Sequence, residues 1–184
     1  LNLYEQWIAD TYTITWNPNY PGCETFTSER EYGSKVGTLP IANRTGYSQD
    51  HWWSEDGEQI TSDLTVEHSF ECYAHWNLTN YTISYNLNGG SWSSGQTPRA
   101  SYNIESNKYD LLTPEYVGRQ FVGWTGSNGN TPQTEVSIPT GSTGNKSYVA
   151  NWDIRIYIVK FNANGGTGTM EDQTFTYDVY QKLR

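Results

Sequence analysis

Residues Tyr81-Thr82-Ile83-Ser84-Tyr85-Asn86-Leu87-Asn88-Gly89-Gly90 return as Tyr157-Ile158-Val159-Lys160-Phe161-Asn162-Ala163-Asn164-Gly165-Gly166. In the first copy Tyr81, Ile83 and Tyr85 alternate with Thr82 and Ser84, the period of a strand that buries one face. Asn88-Gly89 and Asn164-Gly165 then supply the positive φ of a tight hairpin turn. A diverged copy, Tyr12-Thr13-Ile14-Thr15-Trp16-Asn17-Pro18-Asn19, stands earlier in the chain. A second landmark is a strand closing on tryptophan: Leu3-Tyr4-Glu5-Gln6-Trp7, Cys72-Tyr73-Ala74-His75-Trp76 and Tyr148-Val149-Ala150-Asn151-Trp152.

The two landmarks keep step. Tyr12 to Tyr81 and Trp7 to Trp76 are both 69 residues, and Tyr81 to Tyr157 and Trp76 to Trp152 are both 76. Equal but uneven steps in independent landmarks identify a sequence repeat. The expected organisation is the last strand of a preceding repeat (1–7), repeat one (12–76), repeat two (81–152) and the start of a further repeat (157–184). Such a chain reads as a section of a longer array. The fold class expected is mainly β, as tandem small domains. No window keeps apolar residues at helical spacing for three turns, so one short helical turn per repeat is expected, near Gly33–Leu39.

Composition narrows the classes of function. Of 184 residues, 35% are hydrophobic and 15% aromatic, with 8 Trp and 15 Tyr against one Met. That content suits small aromatic cores and argues against disorder. Mean hydropathy is −0.75 and no run reaches the length of a membrane span. The net charge of −9 argues against nucleic acid and anionic lipid as partners. The acidity is local: residues 8–76 hold eleven acids and three bases, whereas residues 77–152 hold four of each. The first residues carry no basic and apolar leader pattern, so a targeting signal is expected elsewhere than in these 184 residues.

Further signals follow in a fixed order. Tyr32-Gly33-Ser34-Lys35-Val36-Gly37-Thr38-Leu39-Pro40 precedes Gly46-Tyr47, and a Trp follows six residues after that Gly. Ile60-Thr61-Ser62-Asp63-Leu64-Thr65 and Tyr73-Ala74-His75-Trp76 complete the series. Together these resemble the Listeria–Bacteroides repeat, the B-repeat of bacterial internalin-type surface proteins. The resemblance implies a ubiquitin-like β-grasp variant with little helix, and an extracellular spacer or receptor-binding module without catalytic activity. It also implies first and last strands that lie side by side and run parallel, so that tandem copies add length. Repeat one departs from the pattern at Asn17-Pro18-Asn19-Tyr20-Pro21-Gly22, and at Gln49 and His51, where repeat two has Phe121 and Gly123. Its hairpin tip and third strand are the places where deviation is expected.

The repeat register sorts the candidates for chemistry. Trp7, Trp76 and Trp152 are equivalent, as are Trp52 and Trp124, and Trp16 takes the place of Tyr85 and Phe161. These six read as core. Trp53 and Trp92 have no aromatic counterpart and are the candidates for stacking on a glycan or receptor. His51, His68 and His75 lack metal-ligand spacing, and Glu55-Asp56-Gly57-Glu58 lacks the alternating carboxylates of a calcium loop. No nucleophile motif or converging acid pair suggests an enzyme, and no cofactor or metal is expected. Cys23 and Cys72 are a candidate disulfide, open until their Cα separation is known, since a bridge needs less than about 7 Å.

The functional expectation is a non-enzymatic, secreted or wall-attached bacterial stalk whose nearest partners are neighbouring repeats. A host-receptor or glycan-binding module is the alternative, and a filament subunit a weaker one. No membrane insertion is expected of this stretch.

Overall fold

A computed structural model describes residues 8–184. The closing strand expected in residues 1–7 lies outside the described residues. The chain divides into two compact units, residues 1–79 and 80–184.

The alternation at Thr11–Asn17 gives β1, and Phe26–Glu31 returns beside it as β2. Then come β3 (Tyr47–Ser54), β4 (Gln59–Ile60) and β5 (Phe70–Leu78). They form one mixed sheet in the order β2-β1-β5-β3-β4. The central pair is parallel, with Trp16 beside Cys72. The other pairings are antiparallel. Ile14, Trp16, Trp52, Cys72 and Ala74 point to one face and bury there, with Val36 and Val66 covering them. Each is at most 1% exposed, as a period-2 pattern on a half-buried sheet requires.

The second unit repeats the plan. Its strands are β6 (Tyr81–Asn86), β7 (Ser101–Tyr102), β8 (Tyr109–Asp110), β9 (Arg119–Gly126), β10 (Gly129–Gln133), β11 (Ser137–Ile138) and β12 (Lys146–Ile154). The main sheet runs β10-β9-β12-β6-β7, with β12 parallel to β6, while β8 and β11 form a separate pair. Trp124, Tyr148, Ala150 and Ile83 fill its core. Finally β13 (Ile156–Val159) and β14 (Gln173–Thr176) make an antiparallel hairpin. Ile156 and Ile158 on it, and Tyr180 after it, are exposed.

The helical turn expected near Gly33–Leu39 is not there; no helix occurs among the described residues. The amide hydrogens that a helix would direct along its own axis go sideways instead. Gly33, Val36 and Gly37 donate to the carbonyls of Val66, Leu64 and Ser62, and Val66 donates back to Ser34. Gly33 and Gly37 also sit at φ of 76°, which breaks any helical run. The segment is a strap laced to residues 62–66, and it carries Val36 into the core.

Candidate functional site

The hairpin tip after the opening strand keeps one geometry in all three copies. Asn17, Asn86 and Asn162 each turn their side-chain carbonyl back to accept from the amide two residues on, at 2.8–2.9 Å. The donating residues Asn19, Asn88 and Asn164 all have positive φ. Asparagine tolerates this conformation better than most residues, and the asparagine two residues earlier closes the local ring. Repeat one therefore keeps the tip despite Pro18. The closing tryptophans are half-buried lids on these tips: Trp76 Nε1 donates to Pro18 O at 2.7 Å, and Trp152 Nε1 to Leu87 O at 2.9 Å.

Around each lid the two repeats exchange parts. In repeat one Tyr20 meets Trp76 edge-on at 6.0 Å, and Arg44 lies 3.7 Å above the Tyr47 ring. In repeat two the tyrosine is Tyr116, edge-on to Trp152 at 5.5 Å, with Arg119 over Tyr116 at 5.2 Å. Arg44 and Tyr47 stand at the positions of Tyr116 and Arg119, so the cation–π pair is kept with its members interchanged. The tyrosine has moved from the hairpin tip to the loop just before the third strand. A side chain at Gly89, the counterpart of Tyr20, would meet the Tyr116 ring at 2.9 Å. Beside Arg44 a groove of about 660 Å³ opens, lined in part by Pro40, Ile41, Gln49, His51 and Trp76.

The two candidate stacking residues part company. Trp92 packs T-shaped against Tyr85 at 5.2 Å and lies 5.9 Å from Trp124, so its ring belongs to the core of repeat two. Its counterpart is Cys23, a smaller residue. Trp53 lies on the opposite face of its sheet from the core, stacked on His75 with centroids 5.1 Å apart and planes at 23°. It pairs directly with Tyr73 across the strands.

The Cys23–Cys72 disulfide is not formed; both are free thiols. Cys72 is fully buried and donates to Thr15 O at 3.4 Å, whereas Cys23 turns within its own loop toward Asn17. Burial, with the charge of Glu71 beside it, pushes the Cys72 thiol up to about 12 from 9.0. The thiolate being the reactive form, iodoacetamide at pH 8 is expected to label Cys23 and spare Cys72 until the protein is unfolded; peptide mass mapping reads both sites. Because the raised value favours the protonated native thiol, this group stabilises fully below pH 9 and loses its contribution as pH climbs toward 12.

His51 pairs with Asp50 at 2.9 Å and His75 with the Trp53 ring, while His68 packs edge-on to Phe70. The three histidines are not gathered into one site. Among the described residues no group of three or more His, Cys, Asp or Glu side chains is placed to hold a metal. Sequence reasoning missed the Arg–Tyr exchange, because it compared like residues at like positions.

Comparison with known proteins agrees with the internal repeat. The chain is 30% identical over 173 residues to a protein of Evansella cellulosilytica named as a Gly-rich membrane protein, covering 92% of this chain and 19% of that one. A second protein of that bacterium, named as a membrane protein, is 27% identical over 180 residues, covering 93% of this chain and 25% of its own length. The chain thus spans a quarter or less of these relatives. No solved structure matches it. Residues 12–75 and 81–151 each match the Listeria–Bacteroides repeat domain, so the chain belongs to that repeat family and carries two tandem copies of it.

Proposed function

We propose that this chain is a non-enzymatic, extracellular segment of a bacterial surface protein, working as a semi-rigid spacer. The observation that carries the reading is the parallel pairing of opening and closing strands, β1 with β5 and β6 with β12. Strands that lie side by side and run the same way bring the chain in at one end of a repeat and out at the other. That arrangement supports a β-grasp variant and copies that add length. The relatives' names and the repeat family support a place at the cell surface.

Stiffness in this reading comes from the linkers. Asn77-Leu78-Thr79-Asn80 spans at most about 14 Å, and its Thr79 amide donates to Gly46 O at 3.0 Å. After repeat two the equivalent Arg155 amide donates to Gly118 O at 2.9 Å, and Arg155 Nε to Arg119 O at 3.0 Å. Tyr177 then covers Gly118, where any side chain would collide with its ring. Eight Gly-Ser residues inserted after Thr79 test the spacer. Amide relaxation is expected to show both repeats tumbling with one correlation time in the parent protein, and faster, separately, after insertion. Equal tumbling in both proteins would refute a stiff linker.

A further inference from the structure

Five positions on the solvent face of the two main sheets differ in kind. Repeat one carries Trp53, Glu55, Glu71, Tyr73 and His75 where repeat two carries Thr125, Ser127, Ser147, Val149 and Asn151. In repeat two these residues finish the sheet itself. Ser127 Oγ accepts from the Ser147 amide at 2.9 Å, and the Asn151 amide nitrogen donates to Gly123 O, Thr125 Oγ1 and Val149 O. The fold therefore asks for no aromatic ring or charge at these positions. Repeat one nevertheless has three rings there, with Trp53 stacked on His75 and paired across strands with Tyr73.

Two carboxylates border the rings. Glu71 accepts from Asn17 Nδ2 at 2.9 Å, and Glu55 follows directly after β3. Burial first, then the charges of Glu71 and Glu55, raise the Tyr73 phenol, which also shares a hydrogen bond with Glu71. Both acids therefore act on the same ring. No base of repeat one answers them. Arg30 Nε donates to Val36 O, Lys35 Nζ to Thr65 Oγ1, and Arg44 lies over Tyr47. Among the described residues neither Glu55 nor Glu71 has an ion-pair partner. Like charges held close on a sheet are unfavourable, and the repeat has three bases for eleven acids.

We propose that the face formed by Trp53, Tyr73 and His75 with Glu55 and Glu71 is a docking surface for a basic segment of a partner protein. Its Lys or Arg side chains would lie over the rings and between the carboxylates. Aromatic faces attract organic cations, and the two acids add a charge that the repeat leaves unanswered. Repeat two, with none of the five residues, lacks the surface. The spacer reading does not depend on this face.

The test uses the whole 184-residue chain and a synthetic octapeptide of alternating Gly and Arg, with its Gly-Glu counterpart as control, at 150 mM salt. Amide chemical shifts and calorimetry are expected to show Gly-Arg binding, with shifts gathered on residues 53–55 and 71–75, and no Gly-Glu binding. Two variants remove the face: W53T/Y73V/H75N, which installs repeat two's own residues, and E55S/E71S, which alters exposed positions only. Each is expected to weaken binding more than tenfold. E24Q/E67Q, which removes two charges elsewhere, is expected to change it less than twofold. Equal weakening by E24Q/E67Q, or shifts spread over all acidic residues, would overturn the proposal. So would failure of the Gly-Arg peptide to bind, or binding of neutral cellohexaose at these amides in its place.

Discussion

Replacing Trp124 with Ala is expected to cost about 3–5 kcal/mol, the usual loss for a buried tryptophan. Trp124 is 0% exposed. Its ring lies within 6.4 Å of Tyr85, Trp92, Phe121 and Tyr148, in edge-on or tilted contacts. Small domains hold about 0.05–0.15 kcal/mol per residue, so a repeat of about 70 residues has roughly 4–10 kcal/mol in all. The substitution therefore removes from about a third to all of the margin of repeat two. Hydrogen exchange on the whole chain separates the outcomes. Ile83, Tyr148 and Ala150 amides are expected to lose protection while Ile14, Cys72 and Ala74 keep theirs. Loss of protection in both cores together would mean that the repeats are not independent.

Transferring repeat one's His51 to its counterpart, as Gly123→His, is expected to destabilise repeat two by about 2–4 kcal/mol, backbone strain and overpacking combined. Gly123 sits at φ of 143°, and a side chain there would collide with the Gln133 backbone. Repeat one tolerates His51 because its bulge is set differently. There Gln49 pairs with Trp76 and Trp52 with Ala74, so Asp50 and His51 share the irregular stretch. In repeat two Gly123 itself pairs with Asn151. A thermal melt of G123H, compared with the parent, measures the effect. An unchanged transition would show that the two bulges are interchangeable.

These contrasts mark what the residues alone reveal. Period-2 alternation marks β1, β6 and the closing strands β5 and β12, because one buried face leaves that mark directly. Pro18 suggests a deviating tip, yet the structure keeps it, since the turn depends on the Asn17 side chain and on φ at Asn19, and neither involves the residue between them. The strap at Gly33–Leu39 was not legible: its hydrogen bonds go to residues 62–66, a pairing across sequence that local spacing cannot reveal. Trp92 misled for a related reason. It packs on Trp124, whose counterpart Trp52 instead takes the part-exposed Phe26 edge-on at 6.0 Å. Gln49 shows the same substitution of means: its Oε1 accepts from the Ala42 amide at 2.8 Å, where Phe121 offers a ring to Trp152. Trp53 stood out because no such compensation is required of it.

The spacer reading turns on length, and small-angle scattering measures length directly. A compact globule of 184 residues would have a radius of gyration of roughly 16 Å. The proposed succession of repeats predicts a radius well above that value, and a pair-distance distribution with a long tail. A radius at the compact value, with a symmetric distribution, would mean that the repeats fold back on one another, and would contradict the spacer.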